Sequence, residues 1–94
     1  VYATMVSRLD ADVGRVLALV DELGLTNDTL ILFGSDNGPG GGAANDQRFG
    51  SQAGLRDRKG TLREGGLRVP WIARWPGRVP AGRVDDTPTA FWDV

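Results

Sequence analysis

From residue 2 to residue 23 the apolar positions Tyr2, Met5, Val6, Leu9, Val13, Val16, Leu17, Val20 and Leu23 recur at steps of three and four, with Arg8, Asp10, Asp12, Arg15, Asp21 and Glu22 mostly between them. That period predicts an amphipathic helix with one apolar stripe. Gly24 follows the last periodic leucine and supplies the stop. Thr26-Asn27-Asp28 makes a polar turn before Thr29 to Phe33, a β-rich run that ends at Gly34. A strand as uniformly apolar as Leu30 to Phe33 is expected to be buried, with helices on both faces. From Ser35 to Gly66 the chain shows no sustained period and is dense in glycine, far beyond the usual loop of about 4–6 residues, and loops of that length tend to be functional or disordered. Val69 to Trp75 predicts a second short strand, with Pro70 near its start where a missing donor is tolerated. Pro76-Gly77 turns the chain out of it, the tail through Pro80, Gly82, Asp85, Asp86 and Pro88 is irregular, and Phe91-Trp92-Asp93-Val94 reads as the start of a further element.

One helix and two short strands cannot cover both faces of a sheet, and a two-stranded sheet is marginal by itself. The expectation is therefore an α/β fold in which helix, buried strand, long glycine-rich loop and strand are one piece of a larger domain. With 94 residues the chain suffices for one small domain and not for two. Isolated, it is expected to be partly disordered or prone to aggregate, because its apolar strands lack covering helices.

Composition narrows the chemistry more than the fold. The 40% hydrophobic and 24% charged content is that of an ordinary globular protein. No run approaches the roughly 18 apolar residues of a membrane span, and the first residues lack a basic start and apolar core. There is no cysteine and no histidine, so disulfides, thiolate metal sites, a cysteine nucleophile and imidazole acid/base work are excluded within these residues. What remains is carboxylate, lysine, hydroxyl or hard-cation chemistry. Charge is uneven: residues 1 to 46 hold seven acids and two bases, residues 47 to 94 five acids and nine bases. Arg56, Arg58, Lys59, Arg63 and Arg68 stand against Asp57 and Glu64 in one short stretch, enough to attract a small anion. On charge alone a solvated arginine-rich loop is the plainer reading. Nucleic acid is set aside, since no basic stripe is interleaved with aromatics.

Several short patterns fail on inspection. Asp10-Ala11-Asp12-Val13-Gly14 lacks the third ligand and distal glutamate of a calcium loop. Gly54 to Thr61 has Lys-Gly-Thr where a phosphate-binding loop has Gly-Lys-Thr, and no strand leads into it. Asn27-Asp28-Thr29 fits a glycosylation acceptor that arises often by chance. Ser35-Asp36-Asn37-Gly38 is different. It follows an apolar strand directly, so Asp36 and Asn37 sit at the carboxyl end where open α/β sheets keep their sites, although such a tetrapeptide also makes a good turn.

The ordered series decides between those readings. Helix, apolar strand, Ser35-Asp36-Asn37-Gly38-Pro39, glycine-rich loop, Lys59-Gly60-Thr61-Leu62-Arg63-Glu64-Gly65-Gly66-Leu67-Arg68-Val69-Pro70, strand and Trp75-Pro76-Gly77 follow one another. In that order the chain resembles part of the catalytic domain of a type I sulfatase, of the arylsulfatase family within the alkaline-phosphatase-like superfamily, from Leu9 to Asp93. The resemblance implies a fragment of an alkaline-phosphatase-like α/β sandwich. It implies sulfate-ester hydrolysis in which a formylglycine hydrate, matured from cysteine or serine, attacks sulfur beside a calcium ion. It maps the metal-ligand pair onto Asp36 and Asn37 and the sulfate-binding lysine onto Lys59. Carboxylate and amide oxygens suit Ca²⁺, with Mg²⁺ the other hard cation to consider, and an ammonium can neutralise sulfate oxygen. Glu64-Gly65-Gly66 is expected to be backbone architecture, and Arg56 and Arg68 either line the pocket or pair at the surface.

The resemblance also implies what lies elsewhere. The nucleophile motif, a first pair of metal-binding aspartates, the catalytic histidines and a second lysine belong upstream, so these residues alone are expected to be inactive. Gly34 stands where the family commonly has threonine or alanine, and Arg63 where an aromatic is frequent. A sulfated small molecule or glycan is the implied substrate, and an extracytoplasmic compartment the implied location. Two alternatives remain at this level: a phosphate or phosphonate ester hydrolase of the same superfamily, and a non-catalytic module whose basic loop binds an anion or acidic protein.

Overall fold

The structure, a computed structural model, describes residues 1–41 and 48–94. Gly42, the end of the glycine run, and the loop positions through residue 47 lie outside the described residues. The chain divides into two compact units, one of Val1–Leu30 with Arg74–Val94 and one of Ile31–Ala73.

The first unit begins with helix α1, Tyr2–Glu22. Its C-terminus closes as the leucine-glycine pair predicts: Gly24 takes a φ of 69°, its amide donates to Asp21 O at 3.1 Å, and the Leu25 amide reaches back to Val20 O at 3.0 Å. These two bonds are the paired closure that a left-handed residue after a helix permits, and they satisfy carbonyls the helix itself leaves open. The polar turn then ties to the segment after residue 73. The Thr26 hydroxyl donates to Asp21 Oδ1 at 2.6 Å and the Arg74 guanidinium to the same oxygen at 3.3 Å. The Trp75 indole N–H donates to Asn27 O at 2.7 Å. Pro76-Gly77 turns as expected, with Gly77 at φ 79° and Trp75 O accepting from the amides of Arg78 and Val79. Arg78 folds back so that its guanidinium carbon stands 4.8 Å from the centre of the Trp75 ring. The expected terminal element is a single 3-10 turn, Phe91–Asp93, whose Asp93 carboxylate accepts the Ala90 amide at 2.7 Å.

In the second unit strand β1, Ile31–Gly34, pairs antiparallel with β2, Trp71–Arg74, whose last residue is counted with the first unit. Both strands are shorter than the apolar runs that predict them. A short helical turn α2, Glu64–Leu67, which no periodicity announces, precedes β2. It is held by backbone bonds from Leu67 N to Arg63 O at 3.1 Å and from Arg68 N to Glu64 O at 2.8 Å.

Within these residues the apolar strand is uncovered, as expected of a strand whose covering helices are missing here. Leu30, Leu32 and Phe33 are 42%, 36% and 38% exposed, and only Ile31 in β1 is half-buried. The reason is that two strands have no layer of their own to cover their faces, and an apolar sequence cannot bury itself without one. The helix tells the same story. Val13, Leu17 and Val20 are half-buried, while Met5, Val6, Leu9 and Val16 of the same stripe are exposed. Among the described residues no hydrophobic side chain is buried; the buried positions are Gly38, Gly65 and Gly66. No helix among the described residues is long and apolar enough to cross a membrane.

Candidate metal and anion site

The three buried glycines draw together the loop after β1 and the loop before β2. The Gly38 amide donates to Gly66 O at 2.9 Å, and the Gly65 amide to Arg56 O at 2.8 Å. The backbones approach so closely that no side chain fits. A β-carbon on Gly38 would stand 1.8 Å from Gly65 O, one on Gly65 2.0 Å from Asp57 O, and one on Gly66 2.3 Å from Thr61 O. Each obstacle is backbone, which cannot rotate aside, so glycine is required here for close approach. The reading of Gly65-Gly66 as architecture is thus borne out, and Gly38 proves to be its counterpart.

This clasp positions the residues the sequence singles out. Asp36 and Asn37 stand immediately before Gly38. The Ser35 hydroxyl donates to Asn37 O at 2.9 Å and fixes the turn, while Asn37 Nδ2 donates to Gly38 O at 3.0 Å. With its nitrogen committed, the Asn37 amide is oriented and its Oδ1 remains as an acceptor. The exposed Asp36 carboxylate has no hydrogen-bond or ion-pair partner among the described residues. One hard anionic oxygen donor and one oriented amide oxygen stand side by side in sequence at the carboxyl end of β1. That donor set suits a hard cation such as Ca²⁺, although two donors fall short of the roughly 6–8 oxygens it takes. Among the described residues no three Asp, Glu, His or Cys side chains gather as a metal site.

Lys59 is brought to the same loop by its backbone. Its amide donates to Pro39 O at 3.2 Å, and its Cδ lies 3.7 Å from where a β-carbon on Gly40 would be. The exposed Lys59 ammonium has no carboxylate partner among the described residues. Its neighbours differ. Arg56 and Arg63 both approach Asp57 Oδ2 at 3.9 Å, and Arg68 approaches Glu64 at 3.8 Å; Arg58 is engaged as well. Surface pairing is therefore what Arg56 and Arg68 do, and Lys59 is the uncommitted cation of the stretch among the described residues.

Two contributors escape the sequence. Pro39 acts through its carbonyl, and Asp57 through a backbone at φ 64°, a left-handed conformation that aspartate tolerates better than most residues. Its carbonyl then meets Gly65. An aspartate between arginines in a glycine-rich loop hints at such a turn; nothing in the sequence marks the proline carbonyl.

Comparison with known proteins agrees with the ordered motifs. The family model described as Sulfatase matches residues 1–94. Steryl-sulfatase of Mus musculus is 44% identical over 96 residues, covering 99% of this chain and 15% of that protein. N-acetylgalactosamine-6-sulfatase of Canis lupus familiaris is 43% identical over 93 residues, covering 99% and 18%. Arylsulfatase A of Homo sapiens is 40% identical over 81 residues, covering 86% and 16%. The chain thus spans 15–18% of the length of these curated relatives.

Proposed function

The chain belongs to the sulfatase family, and from that membership we propose that it forms part of an enzyme that hydrolyses sulfate esters, within an alkaline-phosphatase-like α/β sandwich. Asp36 and the Oδ1 of Asn37 supply two oxygens to a hard cation, Ca²⁺ in preference to Mg²⁺, and Lys59 contacts a sulfate oxygen. The observation that carries this reading is the glycine clasp. It joins the Asp36-Asn37 turn to the Lys59 loop through Gly38 N to Gly66 O and Lys59 N to Pro39 O, and it leaves the carboxylate, the amide oxygen and the ammonium uncommitted among the described residues.

Each side chain has a distinct task. Asp36 brings the negative charge that a cation requires, and Asn37 adds a neutral oxygen whose direction is set by its bond to Gly38. By holding a cation there, these two residues would place positive charge against the ester's sulfate oxygens. Lys59 does the same from the opposite loop, and its benefit is greatest as charge grows on the departing oxygen. The attack on sulfur, through the formylglycine hydrate that the family resemblance implies, belongs to residues outside this chain, as do the remaining metal ligands. These residues alone are accordingly inactive. The substrate is a sulfated small molecule or glycan, and the compartment, by the same resemblance, is extracytoplasmic.

The test is to assay the full-length polypeptide on an aryl sulfate and the matching aryl phosphate and phosphonate, with Asp36→Ala and Lys59→Ala alongside. Sulfate hydrolysis that requires added Ca²⁺ and falls by about a hundredfold or more in both variants is expected. Preference for phosphate or phosphonate moves the assignment to the other branch of the superfamily. Full activity in either variant removes that residue from the site.

A further inference from the structure

A ring bounds the carboxyl end of β1 from the side. Gly34 closes the strand, two residues before Asp36. A β-carbon built there would stand 2.6 Å from Trp71 Cε3 and 2.8 Å from Cζ3, with Pro70 O at an ordinary 3.5 Å. Gly34 is not one of the positive-φ glycines, so its backbone conformation admits other residues. The indole alone denies the position a side chain. Trp71, half-buried, opens β2. The contact therefore joins the two ends of the loop, one leading into Asp36-Asn37 and the other arriving from the Gly65-Gly66 turn.

We propose that Gly34 and Trp71 are a size-matched positioning pair, in which the indole seated against the bare Cα of Gly34 sets where β1 delivers Asp36 and Asn37. The functional half of this inference rests on the reading of those two residues as cation ligands; the contact itself does not. An alanine at 34 must push the ring off its rotamer or part the two strands, and the ligands two and three residues on move with the backbone. Groups that orient metal ligands typically change metal affinity by about 10–100-fold when altered.

The experiment is a double-mutant cycle in the full-length polypeptide: Gly34→Ala, Trp71→Ala and the double variant, with Asp36→Ala as a reference. Calcium affinity is measured by titration calorimetry on chelator-stripped protein, melting temperature on the same samples, and kcat and KM separately. Gly34→Ala is expected to weaken calcium binding about tenfold or more when Trp71 is present and less than about twofold in the Trp71→Ala background, where the space is open. The melting temperatures should show the same dependence. Equal losses in both backgrounds overturn the pair. Coupling in melting temperature without a change in calcium affinity overturns its positioning role. If Asp36→Ala leaves calcium affinity intact, the metal reading fails, and with it the positioning role, while the melting cycle still decides the contact.

Discussion

Gly38 and Gly66, 28 positions apart in sequence, are joined by a 2.9 Å hydrogen bond from the amide of one to the carbonyl of the other, and neither has room for a β-carbon, which would meet Gly65 O at the first and Thr61 O at the second. The bond ties the turn bearing Asp36 and Asn37 to the loop bearing Lys59. Close backbone contact replaces a side-chain core here, since among the described residues only glycines are buried.

Alanine at Gly38 or Gly65 should therefore be far worse than an ordinary surface change. The clash is with carbonyl oxygens at 1.8 and 2.0 Å, so no rotamer relieves it and the two loops must separate. In the full-length protein, loss of about 3 kcal/mol or more of stability is expected, at the severe end for single substitutions. Thermal unfolding with parallel activity assays checks it. Gly60→Ala is the control: its φ of 90° strains the backbone but nothing lies within 4 Å, so the loss should be smaller.

Asp36 and Asn37 should separate by their response to calcium. Asp36→Ala removes the charge and is expected to abolish detectable turnover at any calcium concentration. Asn37→Ala removes a neutral oxygen and the bond from Nδ2 to Gly38 O, so turnover should fall by about 10–100-fold and recover in part as calcium is raised. Activity against calcium concentration distinguishes the two; identical curves would contradict the division of roles.

The basic residues around Lys59 should not behave alike. Arg56→Ala and Arg68→Ala remove exposed ion pairs at 3.9 and 3.8 Å, and such pairs contribute about 0–1 kcal/mol. Stability should change by no more than about 1 kcal/mol and kcat/KM by less than about fivefold on that scale. Lys59→Ala should lower kcat strongly, and Lys59→Arg should restore only part of it, because a planar guanidinium does not reproduce a compact ammonium. Steady-state kinetics of the four variants checks the contrast.

Asp21, in the first unit, gives a pH prediction of its own. The hydrogen bond from the Thr26 hydroxyl, aided by the Arg74 guanidinium and opposed by desolvation, holds its carboxyl below the usual aspartate value. A depressed carboxylate stabilises the fold at pH values above its unfolded pKa of about 3.9, and that contribution is lost as pH falls through the lower folded value. Thr26→Val should raise the Asp21 titration toward the ordinary value and reduce the stability lost on acidification. Carbon-detected NMR titration of the Asp21 carboxyl reads this directly; an unmoved titration would remove Thr26 as the cause.

Much of the local structure is legible because it is decided by near neighbours. The helix follows from the spacing of Met5 through Leu23, and its end from Gly24, whose left-handed conformation depends on adjacent residues alone. The turn at Pro76-Gly77 is readable for the same reason. The α2 turn at Glu64–Leu67 is not, since Gly65 and Gly66 are poor helix formers and the turn exists within a loop that the clasp holds.

By itself the sequence determined the order of helix, strand, loop and strand, the family, and the residue types offered for chemistry: a carboxylate, an amide and a lysine in a chain without cysteine or histidine. These are properties of local spacing and side-chain identity. Only the tertiary structure decided which cation stays uncommitted, which glycines meet backbone, that Pro39 and Asp57 shape the loop through their carbonyls, and that Trp71 fills the space beside Gly34. Those facts arise from pairs of residues distant in the chain, and a pairwise approach in space leaves no mark on the spacing of either partner. The exposure of β1 has the same origin: apolar sequence states what a strand would bury, but burial requires a second surface.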